Sequence, residues 1–188
     1  MRFPQSIITS TRTTPMRMAL LVAITLVGVA VACSSAGSDA RAQAVTAPPD
    51  VVPVNDKVLG FINARMGTTV GVGDCYALVS HALHYSGAEW DHYYHYGIPV
   101  SYETEEVRPG DIVQFLSVIV HSGPNDRYKN TFGYPMHTGV VYKIIDKLHY
   151  VIAHQNYKKQ RFVLLTEVNF NDKRSGQYWI YRPFRRTN

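Results

Sequence analysis

An α+β domain is the fold class that the sequence predicts, and three observations predict it. Two early segments, residues 55–66 and 75–86, carry apolar residues at helical spacing. From Ile112 onward the pattern changes to the period of two that strands show. Helices first and a run of strands afterwards describe helices packed on an antiparallel sheet. The 188 residues are 46% hydrophobic and 18% charged, too apolar for a disordered chain and enough for one domain without disulfide staples.

The first helix, 55–66, has Asn55 at its N-cap position and Gly67 just past its end. A glycine-punctuated loop, 68–74, leads to the second. There Cys75, Leu78, Val79, Ala82 and Leu83 fall on one face, and Gly87 is the stop. A Tyr- and His-rich stretch follows. After the turn Arg108-Pro109-Gly110-Asp111, strands are expected over 112–120, 137–144, 150–156, 162–168 and 177–182. The polar stretch 122–134 reads as a loop flanking a cleft.

Ahead of the domain, Arg12 and Arg17 precede an uncharged apolar run from Met18 to Ala32. Fifteen residues fall short of the roughly 20 that span a bilayer, so the run reads as a secretory signal. Val31-Ala32-Cys33 resembles a lipobox, which would end the signal at residue 33 and anchor the chain to a membrane through lipid on Cys33. Ala42-Gln43-Ala44 offers ordinary cleavage, which would end it at 44. Residues 34–55 read as a flexible tether, and 56–188 as the folded domain. An exported protein at the cell envelope follows from this leader.

The net charge of +5 belongs partly to the leader. Beyond residue 44, fifteen basic residues face thirteen acidic ones, a net of +2. They are unevenly spread: from Tyr157 to the end, eight basic residues accompany Glu167 and Asp172. Such a face is either simply solvated or drawn to an anionic surface. No nucleic-acid motif is present, and no cofactor is expected.

Cys33 and Cys75 are the only cysteines. With Cys33 lipidated or removed, Cys75 has no partner for an intramolecular disulfide. It stands at a helix N-terminus, where unpaired N–H groups and the dipole favour a thiolate and can also receive an oxyanion. His137, at the head of an expected strand, is the candidate base. On the hairpin partner of that strand, His154 and Asn156 fall on one face, and either can orient the imidazole. Such a pair is expected to hold Cys75 as thiolate well below the free-thiol value of about 8.5. His92 and His95, three apart beside Asp91, have the spacing of a helical metal site, but the aromatic-rich surroundings read as loop packing.

These residues resemble the papain-like cell-wall peptidases and amidases of the NlpC and CHAP type. Gly73-Asp74-Cys75 with Leu78-Val79 is similar to their nucleophile helix. Arg108-Pro109-Gly110-Asp111-Ile112-Val113-Gln114-Phe115 is similar to their first long strand, and His137-Thr138-Gly139-Val140-Val141 to the strand bearing the base. His154 matches the third polar residue of the NlpC type. Asn156 matches the CHAP pattern, which would carry Glu at 154. Residues 175–183 resemble the closing strand of CHAP-related domains. The resemblance spans about 57–183. It implies a papain-like fold, and hydrolysis of an amide or peptide bond through an acyl-thioester on Cys75. Peptidoglycan is the substrate class it implies.

The leader makes its own prediction. A Cys33→Ala variant expressed in bacteria should lose membrane association, as read by fractionation and N-terminal sequencing. An unmodified N-terminus at Val45 in the wild type would instead place cleavage after Ala44.

Overall fold

The computed structural model describes residues 50–123, 125 and 127–187. The signal segment, Cys33 and most of the expected tether lie outside the described residues. In order, the elements are β1 (Val51–Pro53), α1 (Asn55–Arg65), α2 (Cys75–Ser86), β2 (Ile98–Val100), β3 (Ile112–Ser122), β4 (Tyr128–Asp146), β5 (His149–His154), β6 (Leu164–Asn169), β7 (Lys173–Arg182) and β8 (Phe184–Arg186). A 3-10 turn, Phe170–Asp172, joins β6 to β7. Strands β2-β7-β3-β4-β5-β6 form a six-stranded sheet, and β1 pairs with β8 in a separate two-stranded ribbon. The neighbouring strands of both pair antiparallel. The α+β class stands: two helices on an antiparallel sheet.

Helix α2 has both its ends built in sequence. The Asp74 side chain accepts from the Ala77 N–H at 2.6 Å, an N-cap bond. Gly87 closes the helix in the left-handed region at φ 69°, with its N–H bonded to His84 O and the Ala88 N–H bonded to Leu83 O. That is a Schellman ending, which suits glycine because it lacks a Cβ. Helix α1 departs from expectation. Val54 takes the N-cap position without a side-chain bond, and Asn55 turns its amide to Pro109 O and Asp111 instead.

Three strand readings also change. The expected loop 122–134 is mostly strand: β3 runs to Ser122 and β4 starts at Tyr128. His137 therefore sits mid-strand. Its polar neighbours misled because β4 has exposed positions along its first half. Strand β5 stops at His154 rather than continuing to Asn156. Val51–Pro53, placed by composition in the tether, is paired with Phe184–Arg186.

The sheet carries apolar side chains on both faces, and two cores result. Ile112, Val140, Ala153 and Tyr181 pack with Val58, Ile62, Leu78, Val79, Ala82 and Leu83 of the helices. Their strand neighbours Val113, Phe115, Val141, Ile152 and Ile180 point the other way. They build a second core with Phe132, Tyr157, Phe170 and Tyr178. A period of two makes this division unavoidable once the register is set.

A buried carboxylate locks the helices to the sheet. Asp111 has no exposed surface. It accepts from Asn55 Nδ2 at 2.8 Å, the Arg108 N–H at 2.8 Å, and Arg182 Nε and Nη2 at 3.1 and 3.0 Å. It thus joins α1, the turn before β3, and β7. Gly110 beside it lies so close to Asn55 that an added Cβ would meet the Asn55 oxygen at 2.6 Å. Removing one partner of a buried, hydrogen-bonded ion pair strands the other. Asp111→Ala should therefore cost about 3–5 kcal/mol in denaturant unfolding. Adding Arg182→Met should then cost less than the sum of the two single changes.

Candidate active site

The site is built where β5 ends. Strands β4 and β5 pair Val140 with Ala153, and the last β5 residue, His154, lies opposite Gly139. Even-numbered residues of this part of β4 direct their N–H groups towards β5, since Val141 exchanges bonds with the opposite neighbour, Gly110-Asp111. The next donor along, the Thr138 N–H, has lost its strand partner. The Cys75 sulfur at the start of α2 takes that N–H. The nucleophile candidate therefore rests against the peptide joining His137 to Thr138.

His137 and His154 lie on the sheet face turned away from the helices. His137 is paired with Phe115 across the ladder, and its ring centroid lies 6.0 Å from that of Phe115 and 6.3 Å from those of Phe132 and Tyr157. His137 Nε2 and His154 Nδ1 share a hydrogen bond of 2.7 Å, and both residues are buried. His154 Nε2 continues the chain to Thr166 Oγ1 at 2.8 Å. In the tautomer that leaves His137 Nδ1 free to accept a proton, each Nε2–H donates onward, to His154 and then to Thr166. The structure thus brings His154 to His137. Asn156 is not brought there: it is exposed, beyond the end of the strand, with left-handed backbone at φ 59°.

Burial sets the charge state. It pushes the Cys75 thiol up from its ordinary value, and the Asp74 carboxylate adds to this, while N–H groups of Thr138, Tyr76 and Cys75 itself pull the other way. Burial lowers both imidazoles, and His154 is lowered further by His137. The resting pair is neutral thiol and neutral imidazole, not the thiolate expected from the helix N-terminus. Desolvation outweighs the dipole because the sulfur is packed against β4. Among the described residues, Cys75 and His137 share no hydrogen bond. At the helix N-terminus the Ala77 N–H is already taken by Asp74, so the N–H groups of Cys75 and Tyr76 remain for a developing oxyanion.

Two positioning residues escaped the sequence reading. Gln155 is fully buried. Its amide accepts from the Val70 N–H at 3.1 Å and donates to Val70 O at 2.9 Å and Asp74 O at 2.6 Å. The residue after the imidazole partner therefore fastens the loop before the nucleophile. Thr166, on β6, ends the hydrogen-bond chain. Neither has a local signal, although a Gln between His154 and Asn156 in a strand expected to face a core was a clue. His95 pairs with Asp91 at 2.7 Å, while His92 packs its ring on Trp90 at 4.6 Å. No cluster of three or more His, Cys, Asp or Glu side chains fit for a metal occurs among the described residues.

Residues 53–187 match the model of the AIM3/BBC1 cysteine proteinase-fold domain. The chain belongs to that family. Its fold is that of papain-like hydrolases, as the sequence resemblance implied. Two solved structures of Ly7917 are also similar in part. One is described with the hydrolyzing product of MDP, at 16% identity and a TM-score of 0.41, covering 69% of this chain. The other shows 17% identity and a TM-score of 0.40, covering 68%. The alignment spans 62% of the Ly7917 chain in each case, under two thirds of its length. No curated protein matches the chain.

A pH prediction follows from the two imidazoles. Both bind protons less readily folded than unfolded, where a histidine titrates near 6.5. The unfolded chain therefore takes up protons first as pH falls. Stability from these groups should be complete above about pH 6.5 and decline below it, until the lowered folded values are passed. Urea midpoints between pH 7 and 4 should fall in the wild type, and less steeply in His154→Phe.

Proposed function

We propose that the chain is an exported thiol hydrolase of amide or peptide bonds, with peptidoglycan peptides as its substrate class. The observation that carries the reading is the buried His137–His154 hydrogen bond, set one peptide from a thiol at a helix N-terminus. Cys75 attacks the carbonyl carbon and gives up its proton; for His137 Nδ1 to take it, the imidazole must turn to the helix side, because it rests on the sheet face away from α2. Because thiol and imidazole rest neutral, this transfer accompanies attack rather than preceding it. The Cys75 and Tyr76 N–H groups receive the oxyanion. His137 then returns the proton to the leaving amine, giving an acyl-thioester, and water activated by the same imidazole releases the acid. His154 and Thr166 hold the tautomer that this needs. The wall substrate and the export route rest on the sequence resemblance and the leader, and a lipid on Cys33 would hold the domain at the envelope.

A second reading has its own observation. A raised thiol, lowered imidazoles and no Cys75–His137 hydrogen bond also describe a wall-binding or scaffold module that keeps the fold without turnover.

The two readings part on product formation. Purified peptidoglycan and its stem peptides, incubated with the full chain, should give new termini detectable by mass spectrometry. Cys75→Ala should abolish them, and His137→Ala should slow them by about 10²–10⁴-fold. His154→Ala should lower turnover strongly, whereas Asn156→Ala should leave it near normal. Binding of the polymer without products, equal in wild type and Cys75→Ala, would establish the module.

A further inference from the structure

The loop between β5 and β6 runs against the nucleophile loop and brings Arg161 to it. Tyr157 and Gln160 exchange both backbone bonds, at 3.1 and 2.9 Å, which closes a two-residue hairpin turn. Its central residues are Lys158 and Lys159, at φ 48° and 67°. Two successive positive φ values define a turn that ordinarily takes Asn-Gly, because a side chain with a Cβ is strained there. Placing lysine at both positions spends backbone strain on two exposed charges. Lys158 is held against β4 through Asn130 Oδ1 at 3.0 Å and lies over the Tyr157 ring.

Arg161 follows directly and reaches the residues just before Cys75. Its Nη2 donates to Val72 O. Gly73 makes the room: with φ 79°, an added Cβ would lie 3.0 Å from Arg161 Nε and 3.3 Å from Arg161 Cβ. One donor of the guanidinium is used, which leaves others for a ligand. Among the described residues no carboxylate pairs with Arg161, Lys158 or Lys159. Asp74, the acid beside the nucleophile, is engaged in capping α2. The acidic side chains Glu103, Glu105, Glu106 and Asp146 gather instead around the Asp146 end of β4.

We infer that Arg161, supported by the Lys158-Lys159 turn, is a carboxylate-binding subsite beside Cys75, selecting substrates with an acidic residue next to the reacting carbonyl. A guanidinium matches a carboxylate in shape as well as charge. The inference deepens the hydrolase reading and rests on it for the word substrate. The anion preference at the thiol is a separate physical property.

Alkylation tests that property without any hydrolysis. Iodoacetate and iodoacetamide both alkylate a thiol, but only iodoacetate carries a carboxylate. Their rate ratio at the Cys75 peptide of the full chain, read by mass spectrometry, is compared with the ratio for glutathione. The expected result is an excess for iodoacetate of about threefold or more that falls with added salt, and is largely lost in Arg161→Gln. A ratio equal to that of glutathione, or one unchanged in Arg161→Gln, overturns the subsite. A second probe covers a thiol too slow to alkylate. Glutarate should shift the Arg161 Nε–H and Gly73 N–H resonances of the ¹⁵N-labelled chain, and glutaramide should not. Equal shifts, or none, overturn the proposal. If Cys75→Ala retained hydrolysis, the enzymatic reading would fail while the anion preference still stood or fell by these measurements.

Discussion

Strand β5 leaves the ladder after His154, and the Thr138 N–H on β4 is left pointing at an empty position in the sheet. A backbone donor that is neither paired nor hydrated is costly, so something must take it. The Cys75 sulfur does. That contact and the packing of Leu78, Val79, Ala82 and Leu83 on Ile112, Val140 and Ala153 set the start of α2 against β4. They set the thiol beside the His137 peptide and leave both imidazoles on the far face of the sheet. Gln155, the first residue past the strand, completes the arrangement by fastening Val70 and Asp74. The end of one strand thus positions the candidate nucleophile, its loop and the partner of the candidate base together.

Such placement has an electrostatic consequence. Packing that orders the site also dries it, and drying favours neutral forms of both thiol and imidazole. A helix N-terminus adds a favourable field, but one confined to the first turn and opposed here by the Asp74 carboxylate that caps the same turn. The residue that ends the helix well is therefore the residue that discourages a thiolate. A neutral His154 can accept a hydrogen bond from His137 but brings no negative charge to stabilise an imidazolium.

The sheet also separates charge. Cations collect in the β5–β6 loop, of which Arg161 meets the nucleophile loop, and carboxylates collect near the Asp146 end of β4. Chain topology causes this, because Lys158, Lys159 and Arg161 all sit in one loop while Glu103, Glu105 and Glu106 sit in another. The Asp111–Arg182 pair is a charge pair kept inside to join helix, turn and strand.

Much of the architecture was legible in the sequence. Helical spacing from Cys75 to Leu83, Asp74 before it and Gly87 after it defined α2 to the residue, because capping and amphipathic burial are local effects. The change to a period of two after Ile112 announced the sheet, and Cys75, His137 and His154 stood out by chemical type. What lay beyond local reading was where strands stop and which face each side chain takes. His154 and Asn156 are equivalent by alternation, and only the end of the ladder sends one to His137 and the other into solvent. The 122–134 stretch looked like a loop because its exposed strand positions are polar, and pairing with β3 decided otherwise. What Gln155, Thr166 and Arg161 hold lies beyond local reading, since their partners lie on other elements. The sequence by itself determined element type and the chemical repertoire, through propensity, capping and periodicity. Tertiary structure decided register, burial and charge state, because these depend on contacts between segments far apart in the chain.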